Sequence, residues 1–379
     1  MKLEKFSFNS ETGRWTVPSF PPLDSERTLV VVFGSSGLRE KPGALKDLLK
    51  AYPSSHIVGC STAGEIDQAT ISDNSIVVAV AKFDAGEVCT ASAPVSSGKD
   101  SFACGQSLAQ SLNGPGLRGI FVLSEGLRIN GSELLRGFNS TLPESVVVTG
   151  GLAGDGSRFE RTWVMCNDLP RSGIVAAVGL YGDNFRIGHG SQGGWDVFGP
   201  ERVVTRSEAN VLYELDGKPA LQLYKDYLGE RASGLPATAL LFPLALRSGA
   251  QDQKSLVRTV LAVDEKTQSM TFAGDIPQGS LAQLMKANFD RLIDGASGSA
   301  SMIRADGALG PVLVLAISCV GRRLVLGERA EEEIEATLEA LPEGARQIGF
   351  YSYGEISPYA SGHCSLHNQT MTLTTIGEG

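Results

Sequence analysis

Gly59-Cys60-Ser61-Thr62-Ala63-Gly64-Glu65-Ile66 and Gly349-Phe350-Tyr351-Ser352-Tyr353-Gly354-Glu355-Ile356 share one spacing, a glycine followed five residues later by Gly-Glu-Ile. The residues upstream also match. Before the first stretch, the β-branched run Leu29–Phe33 reads as a buried strand, and Ala44, Leu45, Leu48, Leu49 and Tyr52 recur at helical spacing until Pro53 ends the helix. Before the second, Val312–Ile317 reads as a strand, and Ile334, Leu338 and Leu341 form a helical stripe closed by Pro342. Ile76–Ala81 supplies a further apolar run after the first stretch. A looser copy lies between them: strand Gly119–Leu123, stripe Leu134, Leu135 and Phe138, then Pro143 and a run ending Gly150-Gly151-Leu152-Ala153-Gly154-Asp155, with Asp replacing Glu.

A strand–helix–strand crossover favours parallel pairing, and the glycine–acid turn then allows an antiparallel return strand. The sequence predicts an α/β fold of mixed β-sheets with flanking helices, in two pseudo-duplicated halves built from strand-helix-strand-turn-strand units. The glycine-rich crossing Arg186–Trp195 and the strand-like Glu201–Arg206 place a division near residues 205–210. A helix is expected within Leu212–Tyr227, with Leu215–Pro219 as a turn leading into it, a small-residue loop over Ala91–Ser101, and a flexible break over Gly295–Ser301.

The chain has 379 residues, enough for two or three domains at roughly 150 residues each. Its 33 basic and 42 acidic residues give a formal charge of −9, with no Lys/Arg block. This excludes the basic footprint of a nucleic-acid or anionic-membrane binder. The N-terminus lacks the apolar core of a signal peptide, and no apolar run approaches the ~18–20 residues of a membrane span, so a soluble protein is expected. Six scattered cysteines without a Cys-x-x-Cys pair read as free thiols in a reducing cytoplasm. The 45 glycines are in excess of a typical ~7% and cluster at the ends of apolar runs.

Catalytic constellations are absent. On a strand, His56 and Cys60 would share a face ~13 Å apart, too far for a thiol–base pair. Ser124-Glu125-Gly126 lacks the Gly-x-Ser-x-Gly frame, and no phosphate-binding Gly-x-x-x-x-Gly-Lys-Ser/Thr sequence occurs. Glu65, Asp155 and Glu355 each follow a glycine at a strand end; such a carboxylate can accept a ligand amino group or cap its own turn. Arg322 and Arg323 follow a strand and can clamp a carboxylate bidentately or form an ion pair. Tyr351 and Tyr353 alternate with Phe350 and Ser352, so one aromatic set faces the core and the other a cleft.

Together these motifs resemble the FIST family, sensory modules found alone or fused to bacterial signalling proteins. Gly59–Ile66, Gly150–Asp155 and Gly188-His189-Gly190 look like its N-terminal domain, here residues 27–207. Ser318-Cys319-Val320-Gly321-Arg322, Gly349–Ile356 and Leu366-His367-Asn368-Gln369-Thr370 are similar to its C-terminal domain, here residues 208–376. The resemblance implies a cytoplasmic small-ligand sensor signalling through a separate partner, with an amino-acid-type ligand as one alternative and an enzyme as another. For a stand-alone member resembling the NosP-type haem proteins, it implies haem as cofactor, nitric oxide as signal and a histidine kinase as partner.

Haem iron takes an axial His, Cys, Met or Tyr in an apolar slot. His189, between glycines and followed by Trp195 and Phe198, is the candidate, the alternative being a turn with a hydrogen-bonded imidazole. His363, Cys364 and His367 offer three ligand types within five residues. In an extended stretch His363 and His367 share a face while Cys364 points away, and no fourth ligand is visible. Glu328–Glu339 holds six glutamates among twelve residues. Glu328, Glu331, Glu332 and Glu333 there complement a helix dipole, or Glu331, Glu332 and Glu335 present an acidic docking face for a kinase.

Overall fold

In the computed structural model, which describes residues 1–249, 255–303, 310–358 and 362–379, the run Leu29–Phe33 is fully buried at the centre of a sheet. Both faces of such a strand must be covered, which is why it reads as unbroken apolar sequence. It belongs to the first of three units built on one plan. Unit 1 comprises an edge strand Lys2–Asn9, a first strand Thr28–Gly34, a helix Gly43–Ala51, a second strand His56–Ser61, a short strand Glu65–Asp67 and a return strand Ser75–Lys82. Unit 2 repeats it with Glu87–Pro94, Leu117–Ser124, helix Gly131–Asn139, Val147–Leu152, Val164–Cys166 and Ile174–Tyr181. Unit 3 uses Phe185–Gln192, Leu313–Cys319, helices Val320–Leu326 and Ala330–Ala340, then Arg346–Ser352, Gly354–Pro358 and Met371–Glu378. The α/β architecture with mixed sheets follows the sequence reading, and the repeat extends to three copies.

In every unit the second strand runs parallel to the first, the return strand lies antiparallel on the other side, and the edge strand borders the return strand. The short strand leaves its own sheet. That of unit 1 pairs with Arg346–Ser352 of unit 3, that of unit 3 with Val147–Leu152 of unit 2, and that of unit 2 with His56–Ser61 of unit 1. The exchange is therefore cyclic: the sheet of unit 1 contains one strand of a neighbour, and those of units 2 and 3 contain two, the lent strand and the short strand that pairs with it, Cys364–His367 and Thr70–Ser72 respectively.

The inner faces of the three sheets enclose one core, with Val31 and Phe33, Phe121 and Leu123, and Leu315, Ile317 and Phe350. The Phe33 and Phe350 rings meet at 4.7 Å. Helices cover the outer faces: Leu45 and Leu48 pack on Val30, Val32 and Val78, while Leu134, Phe138 and Ile334 belong to the cluster over the other two sheets. The described residues between 196 and 286, placed between the edge strand and first strand of unit 3, form a separate antiparallel layer with its own core of Val204, Leu212, Tyr224, Phe242 and Phe272.

Several local expectations are corrected. Gly295–Ser301 is not a break but the end of helix Phe289–Ser301, whose small residues let it approach the edge strand of unit 3. A Cβ on Gly190 would lie 1.9 Å from the Ser299 carbonyl. Ala91–Pro94 belongs to the edge strand of unit 2, and Arg186–Gln192 to that of unit 3, rather than to loops. Within Leu212–Tyr227 the helix begins at Ala220, directly after the expected Leu215–Pro219 turn, whereas Val211–Leu215 before it is a strand. All six cysteines are free; four are buried, and Cys89 is exposed. Among the described residues no helix is long and apolar enough to cross a membrane.

The glycine that opens each motif has a steric cause. On the second strands, a Cβ at Gly59, Gly150 or Gly349 would lie 2.5, 1.9 or 1.8 Å from the carbonyl oxygen of Val32, Val122 or Ala316 on the adjacent first strand. Gly349→Ala is expected to cost about 3 kcal/mol in urea unfolding, because backbone must shift. Gly43→Ala, at a helix start with open space around it, should leave stability unchanged or slightly raised; equal effects at the two positions would contradict this reading.

Candidate functional site

The three glycine–acid turns lie at the ends of the second strands, where the chain crosses into the next sheet. The Ala63 amide donates to the Tyr351 carbonyl at 2.8 Å, Tyr353 to Leu152 at 3.2 Å, and Gly154 to Ser61 at 2.9 Å. One bond of the same kind thus joins each unit to the next.

Beside the unit 1 turn opens a cleft of about 540 Å³ whose walls come from all three units. Unit 1 contributes Ser35, Thr62, Glu65 and Asp73, unit 2 Arg158, and unit 3 Arg323. Arg323 places both terminal nitrogens 2.8 Å from the Asp73 carboxylate and donates to the Ala63 carbonyl at 2.7 Å. That ion pair holds the Asp73 carboxyl below its ordinary range, against the opposing effect of burial. Gly64, at φ +133°, leaves room for the guanidinium; a Cβ there would come within 2.4 Å of it. Arg158 donates to Ser36 Oγ at 3.1 Å and from Nε to Asp155 Oδ1 at 3.0 Å.

Glu65 borders the cleft but is almost wholly buried. One carboxylate oxygen accepts from the Thr62 hydroxyl, the other from the Ser75 amide at 3.0 Å and the Ser75 hydroxyl at 2.7 Å. Glu355 repeats this arrangement, accepting from Ser352 Oγ at 2.8 Å and from the amide and hydroxyl of Thr370 at 3.2 and 3.0 Å. Each carboxylate thereby ties an exchange turn to the start of its own return strand. Burial raises the Glu65 pKa to about 7 and the Glu355 pKa to about 8, against the downward pull of those hydrogen bonds. Asp155 is also buried; burial pushes its carboxyl up, but hydrogen bonds led by Arg158 bring it below the usual range.

Of the residues singled out in the sequence, the structure places Glu65 at the cleft and takes several away. Arg322 is fully buried, pairing with the equally buried Glu333 at 2.8 Å and donating to the Leu292 carbonyl at 2.7 Å. Its neighbour Arg323 faces the cleft instead, because the helix starting at Val320 turns the two side chains apart. Tyr351 is enclosed and donates to Glu333 at 2.8 Å. Tyr353 stacks on Phe159 at 4.2 Å and donates to the Gly156 carbonyl at 3.1 Å. Glu355 lies inside the core of the turn rather than at the cleft. Glu333 is no solvated helix-end acid, whereas Glu331 accepts from the Ile71 amide at 3.0 Å and Glu332 pairs with Arg329 at 2.8 Å.

The metal trio His363, Cys364 and His367 does not converge. His363 lies 3.2 Å from Glu144 on the surface, and Cys364 contacts Asn139. Among the described residues no three His, Cys, Asp or Glu side chains form a metal-binding group. His367 instead lines a cavity of about 480 Å³ with His189, Trp195, Met285 and Met302. Imidazole and thioether are donors that haem iron takes. The same cavity is also lined by Ser191, Gln192 and Thr370, so polar groups share its wall with Trp195, Val257 and the two methionines. Phe198 is elsewhere, packed against Phe242 in the core of the 196–286 layer.

Sequence reasoning missed Arg158, Asp73 and Arg323 as a set, since they come from three units and are brought together only by the exchange. Comparison with known families matches residues 28–218 to the FIST N domain and residues 220–358 to the FIST C domain. No curated protein matches the chain.

The buried carboxylates make a signed prediction. Their folded pKa values exceed the unfolded 4.5, so the stability each contributes is complete below pH 4.5 and is lost as pH rises toward 7 and 8. A Gln can present its carbonyl to Ser75 or Thr370 and its amide to Thr62 or Ser352. Between pH 5 and 8 the urea midpoint of wild type should therefore fall more than that of Glu65→Gln/Glu355→Gln; parallel profiles would show that neither carboxyl binds a proton in the fold.

Proposed function

The chain belongs to the FIST family, and from that premise we propose that it senses a small polar ligand, of amino-acid type, in the cleft between Glu65, Arg158 and Arg323. FIST domains are associated with small-ligand sensing in signal transduction. The observation that carries the reading is the Arg323–Asp73 pair at the cleft wall. A ligand carboxylate offers the guanidinium the same bidentate geometry as Asp73. Thr62, Ser35 and Ser36 supply hydroxyls for an amino group, and Glu65 lies behind them.

Competition for Arg323 gives the signal a route. Asp73 precedes Ser75 by two residues, so its release loosens the segment that Glu65 grips. That segment follows the hairpin Glu65–Ser72, whose Ile71 amide is bound by Glu331 of the acidic helix. Ligand entry is thereby coupled to the helix that would face a separate signalling partner, and a histidine kinase is the partner class in this reading. Glu335 and Glu339 remain exposed on it for such docking.

A second reading places haem in the other cavity, with nitric oxide as the signal. It is favoured by one observation, the presence of His189 and His367 with two methionines along the same wall. Bound haem would supply a ferrous iron for the gas, and either imidazole would hold it. A haem titration separates the readings by the presence or absence of a Soret band.

Calorimetric titration with each of the twenty amino acids should give saturable binding for one or more of them. Arg323→Ala should weaken it at least tenfold, as expected when a charged hydrogen bond worth about 1.5–3 kcal/mol is removed. Arg322→Met should instead destabilise the fold by about 3–5 kcal/mol, because it strands the Glu333 charge. Unchanged affinity in Arg323→Ala, or no binding of any amino acid, would remove the reading.

A further inference from the structure

The three units place one pair of residues alike, just after the first strand and just before the return strand, and fill that place differently. The pairs Val31 with Ala79, Phe121 with Val178 and Leu315 with Thr374 fix the equivalence. Counted outward from them, Ser35 matches Glu125 and Cys319, and Asn74 matches Gly173 and Gln369. One bond recurs there: the amides of Ser35, Glu125 and Cys319 donate to the carbonyls of Ser75, Ile174 and Thr370 at 3.2, 3.1 and 3.2 Å. Asn74, Gly173 and Gln369 also share a left-handed backbone, at φ +58°, +68° and +61°.

In units 2 and 3 the protein itself occupies this place. Glu125 is buried, and its carboxylate accepts from the Leu127 and Arg128 amides and from the Thr162 hydroxyl. Gln369 is fully buried with its carboxamide over Gly321, where a Cβ would come within 2.5 Å of it. Unit 1 leaves the place open. Neither the Ser35 hydroxyl nor the Asn74 carboxamide makes a hydrogen bond among the described residues. Both residues border the Arg323 cleft, and both also border a second cavity of about 800 Å³. Phe8, Leu38, Pro42 and Ala44 give that cavity an apolar wall.

We propose that the ligand of the Arg323 cleft is an amino acid whose nitrogen carries an amide-linked apolar group, the chemistry shared by N-acyl amino acids and dipeptides. The inference rests on the amino-acid reading of that cleft and deepens it. With the carboxylate on Arg323, the nitrogen lies at the hydroxyls that include Ser35, and Ser35 is where the second cavity begins. A substituent on the nitrogen therefore leaves the cleft past Ser35 and Asn74. The ligand N–H donates to the Ser35 hydroxyl, its amide oxygen accepts from the Asn74 carboxamide, and its apolar chain lies along Phe8, Leu38 and Pro42. An amide N–H suits this wall better than an ammonium, because the Glu65 carboxylate behind it is already bound by Thr62 and Ser75 and a buried charge needs a partner. Size agrees: clefts of about 300–1,000 Å³ enclose drug-sized molecules, and a free amino acid leaves the second cavity empty.

Calorimetry on the full chain with L-alanine, N-hexanoyl-L-alanine and L-leucyl-L-alanine tests this, alanine being the side chain that demands least of the cleft. At least one substituted compound should bind roughly tenfold tighter than alanine, since its chain buries added apolar surface. A tighter hexanoyl compound assigns the ligand to acyl amino acids, and a tighter dipeptide assigns it to peptides. Gly37 lines the second cavity, and a Cβ there meets nothing within 4 Å. Gly37→Trp should therefore fill that space and abolish the preference over alanine. Asn74→Gly keeps the left-handed backbone accessible, removes the carboxamide and should weaken the substituted compound about fivefold. Arg323→Ala should weaken all three compounds. The inference is overturned, with the cleft reading intact, if alanine binds through Arg323 and both substituted compounds bind no tighter. It is likewise overturned if the preference survives both Gly37→Trp and Asn74→Gly, or if none of the three compounds binds. Substituted compounds that bind undiminished in Arg323→Ala overturn the cleft reading, and the inference with it.

Discussion

The cyclic handover of three short strands is the constraint on which everything else rests. A unit that lends its strand to the next sheet cannot complete its own sheet alone; it must borrow from the unit before it. The three turn bonds, Ala63 to Tyr351, Tyr353 to Leu152 and Gly154 to Ser61, close that circuit. Each is an ordinary amide–carbonyl bond worth about 1 kcal/mol net. Their weight comes from what they align: the faces carrying Phe33, Phe121 and Phe350 meet in one core only when all three crossings are made. Since these contacts join residues far apart in sequence, folding must close long loops before the core rewards it.

Polar chemistry inside the fold serves the same closure. Glu65 and Glu355 fasten two of the turns to their return strands through Ser75 and Thr370. The buried Arg322–Glu333 pair receives further bonds from Ser318 and Tyr351, and Arg322 donates to the carbonyls of Gly193 and Leu292. Those two carbonyls flank the 196–286 layer on its N- and C-terminal sides. A single guanidinium therefore pins both ends of the inserted layer to unit 3, a task that needs the planar, multidentate geometry of Arg rather than the point charge of Lys. On this repeated frame the units differ in decoration: charged at the Arg323 cleft, with hydroxyls and imidazoles in the cavity of His189 and His367.

Much of the frame was legible in the sequence because it depends on local pattern. The runs Leu29–Phe33 and Val312–Ile317, the stripes ending at Pro53 and Pro342, and the Gly-Glu-Ile spacing all report elements whose periodicity is set by burial. The looser middle copy was harder to align because its Gly-Asp stands one residue earlier than the Gly-Glu of the others: Gly150 occupies the place of Gly59 beside the first-strand carbonyl, and Gly154 the place of Ala63 and Tyr353. Small-residue stretches misled for a related reason. Gly295–Ser301 lacks bulky side chains because neighbouring backbone is close, a Cβ at Gly295 coming 2.8 Å from the Gly193 carbonyl, and in sequence that resembles a loop; Ala91–Pro94 is an edge strand whose small residues give no strand signal. The site was less legible still. Glu65 could be named, but the choice between Arg322 and Arg323 turns on the direction of one short helix, and the meeting of His189 with His367 depends on segments from opposite ends of unit 3.

Native-state hydrogen exchange in rising denaturant tests the cyclic account most directly. If the three units are locked by mutual strand exchange, the amides of Ala63, Gly154 and Tyr353 open in one cooperative step, and their opening free energies converge on a single dependence on denaturant. Exchange of Tyr353 and the other unit 3 amides at a distinctly lower denaturant concentration, while Ala63 and Gly154 stay protected, would contradict it and show units that fold independently.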